Sequence, residues 1–450
     1  MSIRLPRRRN GIDSRLLVLG ALLPVALAFA FACGLDVTGP SVATTGPDAG
    51  PEASLPDGGG GDDGGPIDGG DANAPDASAQ GEQIVAKGVV ANASGLPHQT
   101  HLFFAENAKR WWALYITGTN EIASASSADL VTWTPSATLL LPSPHGNDGR
   151  VFGVGYRSIA GHDVVHIGIS VHGTAPTTTD LRHYHARATV TGSAIAFGSV
   201  DDVSSVSDPN FKDPDGTVTI ISRSNDVIEA SGWTDLNGPE NAVVFFSATK
   251  DLGTSWNPGF ASGVLLQVVT RIVNSKALVD VGDAGTLALF ESADSEPDPS
   301  NIRSSTIGPL VASSVAIFAN APQDFGDWAT ARIDDANVQI VRRTLAGTIE
   351  QARWNGSAWN PVQSLPAEPT LIRTGLALTA LGTNLSLVAI SSDASNTVRE
   401  IRWDGAAWGA WKTIEPSAHA RTSLSMCACG TATPAVLYTR DGDLVALPLH

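Results

Sequence analysis

Three cysteines, two methionines and four tyrosines are all that this 450-residue chain holds of those types. Three cysteines are too few for a disulfide scaffold. Cys427 and Cys429 could close a small ring or stay as thiols. No Cys-x-x-Cys partner accompanies them, so no metal site is expected. Basic residues are also scarce, 28 Lys and Arg against 45 Asp and Glu, for a formal net charge of −17. Binding to a phosphate backbone needs clustered cations, so nucleic acid is excluded as a partner. Beyond residue 32 no stretch sustains apolar residues at helical spacing, which argues against an α-helical or mixed fold. No cofactor motif is present and no cofactor is expected.

The two ends of the chain differ in kind. Residues 1–32 begin with a basic region, Arg4, Arg7, Arg8, Arg9 and Arg15, and continue in an uncharged apolar run from Leu16 to Ala32. That is the pattern of a secretory signal peptide. With Ala30-Phe31-Ala32-Cys33 at its end it resembles a bacterial lipoprotein signal. The resemblance implies lipid attachment at Cys33 and a membrane-anchored protein of the cell envelope or surface. Residues 34–80 have no Lys, Arg or aromatic residue and are mostly Gly, Asp, Pro, Ala and Ser. Such a segment cannot bury enough apolar area to offset its ordering entropy, and it reads as a self-repelling acidic stalk. Cys33 to residue 80 is therefore assigned to lipid attachment and stalk.

Residues 81–450 read as all-β. Short strand-like runs such as Trp111–Thr117, Val164–Val171, Leu287–Glu291 and Leu385–Ile390 stand between Gly, Asn, Asp and Pro. One stretch occurs twice. Trp354, Gly356 and Trp359 recur as Trp403, Gly405 and Trp408, each 49 positions on. An alternating strand enters an Asn-Gly or Asp-Gly turn and leaves through a second Trp, which is a hairpin. A hairpin repeated at this period signals a β-propeller of four-stranded blades. Seven blades fit the length best, and five or six are also compatible. Gln83–Val90 is placed to pair with the C-terminal strands and close the ring, leaving no open sheet edge.

Several motifs resemble known propellers. Thr249-Lys-Asp251-Leu-Gly253-Thr-Ser255-Trp256 resembles the Asp-box of sialidase-type propellers, a turn motif in which Asp caps backbone amides. Ser127-Ala-Asp129-Leu-Val-Thr-Trp133 is a shorter version. With Trp111–Thr117 and Asp208-Pro-Asn-Phe-Lys-Asp213-Pro-Asp215-Gly216 it is also similar to five-bladed furanosidase-type glycoside hydrolases. That resemblance implies Asp208 as the residue tuning a general acid, with Glu229 as the nearest acid. The usual base position reads Leu96-Pro-His98-Gln-Thr-His101, without a carboxylate, and Asp148 is the nearby alternative. Two opposed carboxyl groups are needed for that chemistry, so catalysis by Asp148, Asp208 and Glu229 is the alternative reading and turnover is not expected. Turn capping is the competing role for Asp208, Asp213 and Asp215. Asp148, Arg150 and Arg157 would also suit a rim that binds hydroxyls or carboxylates. His183 and His185 share one strand face, as zinc ligands can, although buried strand histidines are the commoner case.

Val398-Arg-Glu400-Ile-Arg-Trp403-Asp404-Gly405-Ala-Ala-Trp408 is similar to the blades of the fungal fucose-binding lectin family. The resemblance implies sugar hydroxyls held by an Arg and a Glu, with an aromatic ring stacked on the sugar. Glu400 stands at the Glu position, Gln351 replaces it in the other copy, and Arg342 lies on the strand before that copy. The candidate ligand-binding residues are thus Arg150, Arg157, Arg342, Trp354, Trp359, Glu400, Trp403 and Trp408. The resulting expectation is an exported, lipid-anchored, lectin-like propeller with a glycan partner. A glycoside hydrolase and a non-catalytic scaffold for protein contacts are the alternatives.

Overall fold

The computed structural model describes residues 81–450 apart from 91, 119–120, 142–150, 160, 172–181, 203–217, 224–226, 235–241, 250–263, 268–270, 294–299, 308–314, 322–327, 345, 369–374, 392–395, 431 and 450. Among the described residues 28 strands form seven four-stranded blades. The first strand, β1 (Gln83–Ala86), belongs to the last blade. Blade 1 is β2 (Leu102–Ala105), β3 (Arg110–Ile116), β4 (Glu121–Ser127) and β5 (Thr134–Leu140). Blade 2 is β6 (Phe152–Ile159), β7 (His162–Val171), β8 (Arg182–Thr191) and β9 (Ala194–Asp202). Blade 3 is β10 (Val218–Ser222), β11 (Val227–Thr234), β12 (Ala242–Thr249) and β13 (Val264–Gln267). Blade 4 is β14 (Arg271–Asp280), β15 (Thr286–Ala293), β16 (Ser300–Ile307) and β17 (Val315–Ala321). Blade 5 is β18 (Trp328–Asp334), β19 (Asn337–Arg343), β20 (Ile349–Trp354) and β21 (Gln363–Ser364). Blade 6 is β22 (Leu376–Leu381), β23 (Asn384–Ile390), β24 (Val398–Trp403) and β25 (Lys412–Glu415). Blade 7 is β26 (Arg421–Ala428), β27 (Ala435–Arg440), β28 (Asp443–Pro448) and β1.

The ring is closed. Each blade's first strand packs on the first strand of the next, from β2 on β6 through to β22 on β26, and β26 pairs in parallel with β2. Closure is completed by β1, which pairs antiparallel with β28, Gln83 opposite Ala446. Within a blade the antiparallel order places the turns between strands 1 and 2 and between strands 3 and 4 on one face. We name this the trailing face, and the opposite one the leading face.

Each blade is covered by a neighbour on both sides, so inner strands are apolar on both faces rather than alternating. In β3, Trp111 to Ile116 are all buried. Trp112, Leu114 and Ile116 pack with Phe152 and Ile167 of blade 2, while Trp111, Ala113 and Tyr115 pack with Leu437 and Ala446 of blade 7. Glycine sets the closest approach. A Cβ at Gly153 of β6 would lie 2.9 Å from the Val218 carbonyl oxygen of β10.

The repeated hairpins form as expected on the trailing face. Gly356 and Gly405 take φ +92° and +95°, the left-handed region that suits glycine. Asn355 Oδ1 accepts the amides of Ser357 and Ala358, and Asp404 Oδ1 accepts those of Ala406 and Ala407. The amides of Ala407 and Ala406 hold the Asp404 carboxyl below its ordinary pKa. Asp129 caps its own turn in the same way, accepting from Val131 and Thr132 at 2.9 Å each.

Candidate functional site

The two tryptophans that end the hairpins join adjacent blades. Trp359 Nε1 donates to Ser304 Oγ of blade 4 at 2.7 Å, and Trp408 Nε1 donates to Gln351 Oε1 of blade 5 at 2.7 Å. Gln351 is the centre of an amide ladder across β19, β20 and β21. Gln339 donates to its oxygen, and its own amide nitrogen donates to Gln363 Oε1 at 3.2 Å. Of the three half-buried indoles of blade 6 at this seam, Trp408 touches the ladder, while Trp403 and Trp411 pack with it on the apolar core between blades 5 and 6. Trp403 and Trp408 meet edge to face at 5.8 Å, and Trp411 Nε1 donates to the Pro366 carbonyl oxygen at 3.0 Å. The seam between blades 5 and 6, referred to below as the groove, therefore combines aromatic surface with amides that both donate and accept.

The equivalent place between blades 4 and 5 is more closed. Trp354 is buried and packs against Trp359 at 5.7 Å. Arg342 is buried too. Its Nε and Nη2 hold Glu350 at 3.0 and 2.7 Å, its Nη1 donates to the Ala319 carbonyl oxygen at 2.7 Å, and it lies 4.6 Å over Phe318. This ties blade 5 to blade 4. Glu400, also buried, accepts from Ser386 at 2.6 Å and from Arg402 at 2.9 Å. Arg342 and Glu400 thus lie on different blades, each with its own partners.

A cavity of about 610 Å³ occupies the centre of the ring, lined by first-strand residues such as Leu278, Ala331, Leu378 and Cys427. Cys427 and Cys429 are joined as a disulfide. The segment from Asn92 to His101 crosses the leading end of this space. Gln99 Nε2 donates to the Val218 carbonyl oxygen of blade 3, Ser425 of blade 7 donates to the Gln99 carbonyl oxygen, and His98 stacks on Trp328 of blade 5 at 5.1 Å. His101 lies on Phe152 of blade 2 with Nε2 2.9 Å from that residue's carbonyl oxygen. Burial lowers its pKa to about 4. Among the described residues lining the cavity the carboxylate is Asp280, already bound by Arg223 at 2.8 Å.

The remaining candidates fall as follows. Cys33, Asp148, Arg150, Asp208, Asp213, Asp215 and the Asp-box beyond Thr249 lie outside the described residues. Glu229 is placed by its backbone alone, on β11 opposite Ile220 and Ser247. Arg157 sits near the trailing end of β6. His185 is partnered by His166, Nδ1 of His166 lying 3.0 Å from its Nε2. Burial, with His185 and two arginines nearby, lowers the His166 pKa to about 3, and burial lowers that of His185 to about 4. Sequence reasoning missed the amide ladder, although Gln339, Gln351 and Gln363 recur every 12 residues, the spacing of adjacent strands. It also missed Trp411, Arg223, Arg332 and Asp280.

No protein-family profile and no curated protein matches the chain. Solved structures do. A lectin, BP39L from Burkholderia pseudomallei, aligns with TM-score 0.50 and 10% identity over 81% of this chain and 99% of that one. A fungal lectin from Aleuria aurantia, described as a six-bladed β-propeller, aligns with TM-score 0.42 and 11% identity over 78% and 92%. The NanB sialidase of Streptococcus pneumoniae aligns with TM-score 0.42 and 12% identity over 82% and 71%. At these identities the likeness concerns the fold.

Proposed function

We propose that this chain is an exported, lipid-anchored carbohydrate-binding propeller and that a neutral saccharide sits in the groove between blades 5 and 6. One observation carries the reading: three half-buried indoles gather at one seam between blades, and one of them, Trp408, bonds a ladder of side-chain amides. A pyranose offers an apolar C–H face for an indole and hydroxyls that both donate and accept. The ring of Trp403 or Trp411 takes the first, and the exposed amide of Gln363, held in place by Gln351, takes the second. The groove supplies little net charge, so affinity depends on stacking and only weakly on salt. For a ligand of about twelve heavy atoms, about 0.4 kcal/mol per atom gives roughly 5 kcal/mol, or a Kd on the order of 0.2 mM. Multivalent display would strengthen this through avidity. The N-terminal signal, Cys33 and the acidic stalk suit such display away from a membrane.

A glycan array probed with the full chain tests the reading. Retention on at least one neutral glycan is expected, and Trp403→Ala should reduce it while circular dichroism stays unchanged. No retention on any glycan contradicts the proposal. Loss of fold in Trp403→Ala would assign that indole to packing, and Trp411→Ala then becomes the test.

A further inference from the structure

The trailing end of the central channel has chemistry that the groove lacks. A cavity of about 380 Å³ is lined there by Arg157 of β6, Arg223 just past β10, Asp280 at the end of β14 and Arg332 of β18, with Ser158 and Asp283 beside them. It continues into the central cavity, since Asp280 and Arg332 line both. Three guanidinium groups from blades 2, 3 and 5 thus meet two carboxylates from blade 4.

These groups are not equally engaged. Arg223 is held by Asp280 Oδ1 at 2.8 Å and by the Gly282 carbonyl oxygen at 2.6 Å. Arg332 is held by Asp335. Arg157, half-buried, makes no hydrogen bond or ion pair among the described residues. A partly desolvated guanidinium without an acceptor favours an oxyanion, which it can grip through two parallel N–H donors. A bare oxyanion would also meet repulsion from Asp280 and exposed Asp283. Hydroxyl groups beside the anion remove that conflict, because they donate to carboxylates and accept from Ser158.

We propose that this trailing cavity is a second ligand site, which binds a carboxylate flanked by hydroxyls, as in a uronic acid residue. The carboxylate lies on Arg157 and the hydroxyls on Asp280 and Asp283. The site is separate from the groove between blades 5 and 6 and does not depend on saccharide binding there.

The test is titration of the full chain, by calorimetry or ligand-observed NMR, with D-glucuronate, methyl glucoside and inorganic phosphate as separate probes. Glucuronate should bind more tightly than either of the others. Arg157→Gln should weaken it about tenfold or more without moving the unfolding midpoint, since no described group depends on Arg157. Trp403→Ala should leave glucuronate binding unchanged, which separates this site from the groove. The proposal is overturned if wild type does not bind glucuronate, if Arg157→Gln binds it as well as wild type, or if phosphate binds as tightly, which would mark a plain anion site.

Discussion

Glu82 fastens the ring, and its removal has a calculable cost. It immediately precedes β1, and its side chain is 3% exposed. Three groups of blade 7 converge on it: Arg421 Nε at 2.7 Å, Arg440 Nη1 at 2.7 Å and the Tyr438 hydroxyl at 2.6 Å. Arg421 is fully buried, and Arg440 is 20% exposed. In Glu82→Ala the Arg421 cation keeps carbonyl partners at Asn396 and Ser417 but loses its closest carboxylate. Breaking a buried pair from one side costs about 3–5 kcal/mol. Since Glu415 remains at 3.9 Å from Arg421, the lower half of that range, about 3 kcal/mol, is expected. Glu82→Gln keeps the shape and one acceptor oxygen for Arg421 and Tyr438, but loses the charge and the acceptor for Arg440, so about half of this is expected. Urea unfolding of the full chain, followed by tryptophan fluorescence, reads both values. The pH dependence adds a sign. Burial opposes ionisation of Glu82, but hydrogen bonds from Arg421, Tyr438 and Arg440 outweigh it and lower the pKa. A lowered carboxyl pKa gives stability that is present above the unfolded value and lost as pH falls through the folded one. Wild type should therefore lose part of its advantage over Glu82→Gln in acid. A Glu82→Ala chain as stable as wild type would refute the clamp.

Two further outcomes follow from the same structure, and a third from the N-terminal sequence. His101, with its pKa lowered to about 4, resists a proton that the unfolded chain accepts near 6.5, so stability falls as pH drops from about 6.5 to about 4. At pH 5 the loss is roughly 2 kcal/mol for His101 alone, with His166 and His185 acting in the same direction, and urea midpoints at pH 7.5 and 5 should show it. Trp408→Phe keeps the aromatic surface but removes the donor to Gln351, and should cost about 1 kcal/mol by the same assay. Cys33→Ser should move the chain from the membrane fraction or block its processing; unchanged membrane retention would contradict lipid attachment.

Much of the fold was legible because propeller signals are local. The Asn-Gly and Asp-Gly turns, the 49-residue offset and the blade length need only the sequence between two strands. The seventh blade's closing strand was legible too, because Gln83–Val90 stands alone ahead of the segment leading to β2. The site was less legible because its parts are far apart in the chain. Trp408 meets Gln351 57 residues away, and Arg223 meets Asp280 across 57. Whether a strand residue faces a neighbouring blade, the channel or solvent depends on register between blades, which local pattern does not encode. Leu96 to His101 shows the limit well. Sequence placed it where a hydrolase base would stand, and the structure uses it to span the leading end of the channel, bonded to blades 2, 3 and 7.

The measurement that bears most directly on saccharide binding is the indole N–H NMR spectrum of the full chain, titrated with a neutral glycan retained on the array. The chain holds eleven tryptophans, and Trp112 and Trp328 are fully buried reporters of the core. Shifts should be saturable and confined to Trp403, Trp408 and Trp411, with Trp112 and Trp328 unmoved. Saturable shifts at other indoles, or none at these three, would contradict the assignment of the groove between blades 5 and 6.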